Sequence, residues 1–180
     1  MTEIIYGHLT GRALNAALGD LADILFSCVK NGASVSFIQP FCLEDAKQFW
    51  QNAVFPEVRE GKTLLFFAKA HDRIVGTVQL QTDLPPNQAH RCEVAKLLVH
   101  PEFRKRGIAT TLMEMLEEAA SEMGKSLITL DTRSGDQAEP LYILLNYKIA
   151  GQIPNFARAT DSERLDSTTY MYKILNPVPA

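Results

Sequence analysis

A basic, glycine-containing turn connects a short apolar strand to a long amphipathic helix pattern in the middle of this chain. The strand ends in Leu97-Leu98-Val99, and the turn reads Arg104-Lys105-Arg106-Gly107-Ile108-Ala109. Backbone N–H groups at the start of a helix have no partner within it, and the helix dipole adds partial positive charge there. Gly107 lets the backbone approach a bound group closely. The sequence therefore predicts a cradle for phosphate groups at residues 104–110.

Length and composition are those of an ordinary globular protein. The chain has 180 residues, of which 46% are hydrophobic and 22% charged, so one domain spanning residues 1–180 is expected. A net charge of −3 gives no reason to expect a nucleic acid or an anionic membrane as a partner. The sequence has no signal-peptide pattern and no apolar run near the roughly 18 residues of a membrane span, so a cytoplasmic protein is expected.

The cysteines and histidines indicate neither disulfides nor a metal site. Cys28, Cys42 and Cys92 lie in apolar patterns without C-x-x-C spacing, so we expect buried, reduced thiols. The four histidines do not have the spacing of metal ligands. The sequence therefore predicts a site without a metal ion.

Hydrophobic periodicity divides the chain into alternating strands and helices. Strands are predicted at 3–9, 63–70, 74–81, 91–99, 126–131, 147–152 and 168–175. Helices are predicted from Leu14 to the Asn31-Gly32 stop and at 43–60, 107–124 and 138–146. The expected inward residues are Leu43, Ala46, Trp50 and Ala53 in the second helix, and Ile108, Leu112, Met115, Ala119 and Met123 in the third. This order predicts an α/β protein with a mixed sheet and helices on its faces.

Two carboxylates embedded in apolar runs are candidates for proton transfer. Glu93 lies near the start of strand 91–99, and Asp131 lies at the carboxyl end of the next strand, where open α/β sheets place their ligands. A carboxylate in a dry cleft is a stronger proton acceptor than one in water. Pairing with Arg91 or Arg133 would instead make either residue a structural ion pair. The sequence leaves both roles open for both residues.

The basic turn fits the pattern R/Q-x-x-G-x-G/A, with Arg104, Gly107 and Ala109 at the defining positions. Because strand, turn and helix occur in the required order, the chain resembles the GCN5-related N-acetyltransferases, the GNAT superfamily. The resemblance implies a mixed β-sheet flanked by helices and an enzyme that takes its acetyl group from acetyl-CoA. The residues it implies for binding acetyl-CoA are Leu97, Leu98, Val99, Arg104, Lys105, Arg106, Gly107, Ile108, Ala109 and Thr110.

Longer blocks are similar to a GNAT member that protects against an amino-acid-like toxin. These blocks read GASVSF, EVAKLLV, LDTRSGDQAE, LYILLNY and ERLDSTTYMYK. The resemblance implies that Glu93 and Asp131 deprotonate the substrate amine and that the Leu98 N–H donates to the oxyanion. It further implies that Tyr142 is the general acid beside the cofactor sulfur. A purely hydrophobic packing role is the alternative for Tyr142.

Three positions bear on the acceptor. Arg133 stands where the family pattern carries an acid, which reverses a charge near the amine and would favour a carboxylate on the substrate. Ala109 replaces the final glycine of the turn, within the tolerance of the pattern. Phe37, in the loop between the first two helices, is expected to contact the substrate, because this loop often walls the acceptor pocket in the family.

The sequence thus predicts direct acetyl transfer to the primary amine of a small molecule, such as an amino-acid-like toxin, an antibiotic or a metabolite. Acetylation of a protein N-terminus or lysine is one alternative. Binding of acyl-CoA without turnover is another. The superfamily also makes a homodimer a possibility, with residues 168–175 as a strand that could pair across subunits.

Overall fold

Seven strands form one mixed sheet in this computed structural model, which describes residues 3–175. The strands are β1 Ile4–Leu9, β2 Thr63–Ala70, β3 Arg73–Gln81, β4 Arg91–Val99, β5 Leu127–Arg133, β6 Lys148–Arg158 and β7 Leu165–Ile174. The helices are α1 Ala13–Lys30, α2 Leu43–Phe49, α3 Phe55–Arg59, α4 Ile108–Glu122 and α5 Ala138–Leu144. The predicted α/β class with a mixed sheet is confirmed. Within residues 3–175, no helix is both long and apolar enough to cross a membrane.

Helices cover both faces of the sheet and form two hydrophobic cores. One core joins α4 and α5 to the sheet through residues such as Leu112, Leu116, Val78, Ile128 and Tyr142. The other joins α1 and α2 to the opposite face through residues such as Leu14, Leu25, Trp50, Leu65 and Leu98. Each core buries one face of the sheet away from water, as two packed layers of helices on a sheet require.

The sheet order is β1-β2-β3-β4-β5-β7-β6, and the parallel pair β4–β5 separates early. These two strands pair at only three positions, the last of which joins Glu93 to Thr129. Beyond this point β4 continues to Val99 beside β3, while β5 pairs with β7 along its whole length. The two strands therefore open a V-shaped gap at the carboxyl end of β5, where open sheets bind ligands.

The second predicted helix is interrupted by a π-helical turn at Trp50–Val54. Trp50 is fully buried and its indole N–H donates to the Leu21 carbonyl at 2.9 Å. The wider π turn rotates the buried face, so Val54 and Phe55 point into the core and Ala53 is exposed. The predicted inward position of Ala53 is therefore wrong, and that of Leu43, 40% exposed at the helix start, is wrong too.

Helix α4 begins and ends close to its predicted limits, but in its second half the buried residues are one position later than predicted. Leu116 and Ala120 are fully buried, whereas Met115 and Ala119 are only partly buried. Met123 is 46% exposed, because the helix ends at Glu122 and Gly124 turns the chain with φ 71°. The predicted inward position of Met123 is wrong.

The last two strands are longer than the sequence predicts. Strand β6 runs to Arg158 and includes Pro154, which lacks an N–H group and is tolerated because β6 is an edge strand of the sheet. Strand β7 lies between β5 and β6, so both of its edges are already paired within the chain. Strand β7 therefore offers no free edge for the pairing across subunits that the sequence left open.

All three cysteines are free thiols, and two of them are buried. Cys28 and Cys92 lie in the two cores, and burial raises the pKa of the Cys92 thiol to about 11. Cys42 is exposed, because it caps the start of α2 at the protein surface, where its backbone N–H donates to the Asp45 carboxylate at 2.8 Å. The prediction of burial is confirmed for Cys28 and Cys92 and is wrong for Cys42.

Gly76 in β3 allows the first turns of α4 to pack closely on the sheet. A Cβ atom at this position would lie 2.8 Å from Ile108 Cγ2 and 3.3 Å from Leu112 Cδ1. We expect Gly76→Ala to lower the free energy of unfolding by about 1–3 kcal/mol, because α4 must shift to make room. Thermal melting measures the loss. Gly19→Ala on the exposed side of α1 is the control, because no atom lies within 4 Å of its Cβ position; equal melting temperatures for the two variants would contradict this packing.

Candidate active site

A cleft of about 600 Å³ occupies the gap between β4 and β5. It is lined by β4 residues 94–99, by residues 103–105 and 107–110 of the turn and first helical residues, and by loop 31–36 after α1. On the β5 side it is lined by residues 131–133 and 136–138 and by Leu141 and Tyr142 of α5. In the part of the chain that the structure describes, no three His, Cys, Asp or Glu side chains lie together as metal ligands would. The turn and the two strand ends that the sequence singled out therefore line one cavity.

The turn before α4 has the geometry of an anion cradle. Gly107 adopts the left-handed conformation with φ 78° and precedes the first helical residue, Ile108. The first backbone hydrogen bond of α4 is donated by the Thr111 N–H to the Gly107 carbonyl, at 3.1 Å. The N–H groups of Ile108, Ala109 and Thr110 precede that bond and, as in any helix start, have no intrahelical acceptor. These groups lie at the positive end of the helix dipole, where anions are stabilised.

The basic side chains of the turn take different directions. The Arg104 guanidinium donates to the Val99 carbonyl at 3.3 Å and to the Cys28 sulfur at 3.7 Å, so it lies against α1 on the cleft wall. The Arg106 guanidinium donates to the Glu102 carbonyl at 3.2 Å and stacks on Phe103, outside the cleft lining. Lys105, with φ 60°, lines the cleft. Of the three, Arg104 and Lys105 are therefore the ones that bring charge to the cavity.

The upper part of β4 presents its backbone along the cleft. Leu98 pairs with Thr77 and Val99 with Gly76 on the β3 side. On the other side β5 has already diverged, because its last pairing with β4 is at Glu93. Residues Leu97–Val99 therefore form an edge along the cavity that β5 does not cover, and the Val99 carbonyl on this edge accepts from Arg104.

Asp131 stands at the mouth of the cleft. It lies on the exposed part of β5, two residues beyond the last β4–β5 pair, and lines the cavity. Its carboxylate lies 2.9 Å from the Thr168 hydroxyl, which is shared between this carboxylate and the Thr132 carbonyl at 3.0 Å. No salt bridge from an Arg or Lys to this carboxylate occurs within residues 3–175, so its oxygens are available to an amine.

Glu93 has a different environment. It sits at the last paired position of β4 and is outside the set of residues that line the cleft. Its carboxylate lies 3.3 Å from the Arg91 guanidinium, which also donates to the Thr129 hydroxyl at 2.9 Å. Glu93 is thus ion-paired outside the cleft, which agrees with the structural alternative that the sequence left open. Asp131, in contrast, lines the cavity.

Tyr142 projects from α5 into the wall opposite β4. Its side chain is 6% exposed, lines the cleft and contacts the Tyr147 ring edge-on at 5.8 Å. Burial raises the pKa of the Tyr142 hydroxyl well above its usual range, and the nearby charges of Asp131 and Asp136 raise it further. The phenol therefore keeps its proton across neutral and mildly alkaline pH.

Two residues predicted near the acceptor are engaged with the protein itself. Arg133 lies 3.1 Å from Asp136 and 3.8 Å from Asp166, so two carboxylates already compensate its charge. Phe37 packs against Phe41 and Phe49, with ring centroids 4.7 and 5.1 Å apart, and is outside the cleft lining. The loop that carries Phe37 does line the cleft, but through residues 31–36.

One lining residue, Lys96, escaped the sequence analysis. It lies in a bulge of β4, where Lys96 and Leu97 together face Val78, and it has φ 50°. Its ammonium group donates to the Ser36 hydroxyl at 3.3 Å and lies 5.7 Å above the Phe49 ring. A lysine inside the apolar run EVAKLLV was the available signal, since charges inside buried strands are rare without a partner.

The chain matches a known family of acetyltransferases. The family model of the acetyltransferase (GNAT) family matches residues 29–146. Because the match covers more than half of the chain and includes β4, the cradle and α5, the protein belongs to the GNAT family. It is an acetyl-CoA-dependent acetyltransferase, and the predicted enzyme class and cosubstrate are confirmed.

Solved structures show the same fold. A ribosomal-protein-alanine N-acetyltransferase from Brucella melitensis is 22% identical over 95% of this chain and 99% of its own, with a TM-score of 0.77. The yncA protein of Salmonella typhimurium, solved with its cofactor acetyl-CoA, is 14% identical over 99% of this chain and 98% of its own, with a TM-score of 0.79. An aminoglycoside 6'-acetyltransferase type Ii is 22% identical over 97% and 99%, with a TM-score of 0.70. At these identities the likeness establishes the fold.

Proposed function

We propose that this protein transfers the acetyl group of acetyl-CoA directly to the primary amine of a small molecule, an amino-acid-like toxin, an antibiotic or a metabolite. Loop 31–36 supports this most directly, because it lines the cleft and is tied down on two sides. The Gly32 carbonyl accepts from Arg133 at 3.2 Å, and the Ala33 carbonyl accepts from the Thr160 hydroxyl at 3.0 Å. A cleft of about 600 Å³ walled by a tethered loop suits a small acceptor, whereas a polypeptide needs an open groove.

The resemblance in sequence also favours a small acceptor. The blocks EVAKLLV, LDTRSGDQAE and LYILLNY are similar to the tabtoxin resistance protein, and among the structural neighbours the aminoglycoside 6'-acetyltransferase is named for a small-molecule acceptor. The Brucella melitensis neighbour is named for a ribosomal protein, so the fold alone does not distinguish the two acceptor classes. The tied loop is the feature of this chain on which we base the choice of a small acceptor.

In our proposal, backbone groups of the chain bind the cosubstrate. The exposed edge of β4 at Leu97–Val99 pairs with the pantetheine arm, and the N–H groups of Gly107–Thr110 bind the pyrophosphate. Lys105 and Arg104 add positive charge beside it. Acetyl-CoA supplies the reactive thioester when it is bound, and the chain's own residues handle the protons and the developing charge.

Asp131 and Tyr142 carry the proton transfers in this proposal. Asp131 takes a proton from the acceptor's ammonium group and passes it to water at its exposed side. It takes the second proton as the N–C bond forms and then releases this proton to water too. The Leu98 N–H, whose role is taken from the family resemblance, donates a hydrogen bond to the oxygen of the acetyl carbonyl while that oxygen carries negative charge. As the C–S bond breaks, Tyr142 gives its proton to the sulfur and regains one from water. The products are an amide and the CoA thiol, and one proton is released overall.

Tyr142→Phe tests the acid. We expect kcat to fall by about 10- to 100-fold, because the leaving sulfur loses its proton donor, while the affinity for acetyl-CoA changes little, because the phenyl ring still fills the same space against Tyr147. Steady-state kinetics and calorimetric binding measure the two quantities. Tyr147→Phe is the matched control, since Tyr147 lies behind Tyr142 and outside the cleft lining. An equal loss in both variants would point to packing as the role of Tyr142.

An acceptor screen tests the proposal as a whole. Release of CoA would be followed with free amino acids, aminoglycosides and polyamines, and in parallel with peptides that present an N-terminal amine or a lysine. Mass spectrometry of the acceptor is the preferred readout, because the exposed Cys42 would react with thiol reagents. Acetylation of a small amine and not of peptides supports the proposal. Acetylation of peptides alone contradicts it, and binding of acetyl-CoA without turnover on any amine favours a non-catalytic module.

A further inference from the structure

Lys96 brings a positive charge to the part of the cleft lined by loop 31–36 and Asp131, which we call the acceptor end. The bulge in β4 turns its side chain towards loop 31–36, where the ammonium group is 3.3 Å from the Ser36 hydroxyl and 5.7 Å from the centre of the Phe49 ring. Both Lys96 and Ser36 line the cleft. The charged end of this residue is therefore held against a neutral hydroxyl and an aromatic face inside the cavity.

The charge of Lys96 is not compensated by an ion pair. Within residues 3–175, its ammonium group forms no salt bridge, whereas the neighbouring cation of the cleft wall, Arg133, has two. Desolvation lowers the pKa of the Lys96 ammonium, and the more distant charge of Asp131 only partly opposes this. A partly buried cation with one neutral partner gains more from an anionic ligand than a cation that is already paired.

The backbone holds this pair of residues in an unusual conformation. Lys96 has φ 50° and Ser36 has φ 75°, both in the left-handed region that non-glycine residues rarely adopt. Such conformations persist where the surroundings enforce them, and they concentrate at ligand sites. Two of them meet here through a single hydrogen bond at the acceptor end.

We infer that Lys96, together with Ser36, binds a carboxylate that the acceptor carries beside its reacting amine. The inference rests on the proposed function and names the substrate class within it: amino acids and similar zwitterions. Asp131 faces the amine and Lys96 the carboxylate, so each charge of the substrate meets an opposite charge at the acceptor end of the cavity. One ammonium and one hydroxyl provide two donor groups, which suit the two oxygens of a carboxylate better than the three oxygens of a phosphate. Lys96, and not the compensated Arg133, is therefore the specificity-determining cation.

Lys96→Met tests the inference, because it keeps the apolar stem over Phe49 and removes the charge. Each free amino acid would be compared with its carboxamide as acceptor. We expect the wild type to prefer the acid, and the variant to raise KM for the acid by about 10- to 100-fold with kcat and the carboxamide reaction little changed. Lys96→Arg should keep part of the preference. Lys30→Met is the control, because Lys30 also lies over an aromatic ring, Phe26, but outside the cleft.

A binding measurement separates failure of this inference from failure of the proposed function. The same acids and carboxamides would be titrated calorimetrically into the protein saturated with CoA, where no turnover is needed. Binding of the acids to the wild type and not to Lys96→Met supports the carboxylate site even if no amine in the panel is acetylated. The inference would be overturned by equal binding or equal kinetics of acid and carboxamide in the wild type. It would also be overturned by equal losses for acid and carboxamide in the variant, or by no binding of any acid.

Discussion

Asp131→Asn is expected to lower kcat by about 100-fold while the dissociation constant for acetyl-CoA changes by less than about twofold. The amide has nearly the same shape and can still accept from the Thr168 hydroxyl, but it cannot take a proton from the amine. Because Asp131 lines the acceptor end of the cleft and the cradle lies at the other end, cofactor binding should be preserved. Initial rates with a reactive small amine and calorimetry with acetyl-CoA measure the two effects.

Glu93→Gln is the matched comparison for Asp131→Asn. Glu93 is ion-paired to Arg91 outside the cleft lining, so its loss should reduce kcat far less. The double variant with Gln at 93 and Asn at 131 should be at least as slow as Asp131→Asn alone, about 100-fold below the wild type. If Glu93→Gln alone reproduced the loss and Asp131→Asn did not, the base would be Glu93.

Gly107→Glu is expected to weaken acetyl-CoA binding by at least about 100-fold, below detection in a calorimetric titration. The new side chain would place bulk and negative charge at the N-terminus of α4, where the phosphates are expected, and like charges at a few ångströms repel strongly outside bulk water. The space beside Gly107 is open, with no atom within 4 Å of its Cβ position. The variant should therefore fold, at a cost of about 1–2 kcal/mol for the left-handed backbone.

Gly124→Glu provides the control for Gly107→Glu. Gly124 has φ 71° against 78° for Gly107, lies at the other end of α4, and is equally open. The two variants should show similar drops in melting temperature, and only the change at 107 should abolish binding. Wild-type affinity in Gly107→Glu would mean that the phosphates lie elsewhere.

The cradle and the sheet around it could be predicted because their signals are local. A basic glycine turn between an apolar strand and an amphipathic helix specifies its own backbone, and the parallel β4–β5 pair follows from the helix that connects the strands. The order of strands and helices followed for the same reason. Even the edge-strand extension of β6 past Pro154 is consistent with local rules, once the position of that strand in the sheet is known.

Residue environments at the acceptor end could not be predicted, because they depend on contacts between distant segments. Arg133 loses its role as a free cation to Asp166 on β7, far away in sequence. Lys96 points into the cleft only because of the bulge in its pairing with β3. Ala53 turned outward because a π turn, stabilised by the burial of Trp50 against α1, rotated the helix face. Periodicity within one segment contains none of this information.

Direct transfer between two substrates bound together is tested best by initial rates. Acetyl-CoA would be varied at several fixed concentrations of an accepted amine, and the protein would then be analysed for acetylated residues. Cys28 is the thiol on the cleft wall, but it is 1% exposed and burial raises its pKa, so it is a poor nucleophile. We predict intersecting double-reciprocal lines and no acetylated cysteine. Parallel lines with an acetyl group on Cys28 would contradict direct transfer and indicate a covalent intermediate.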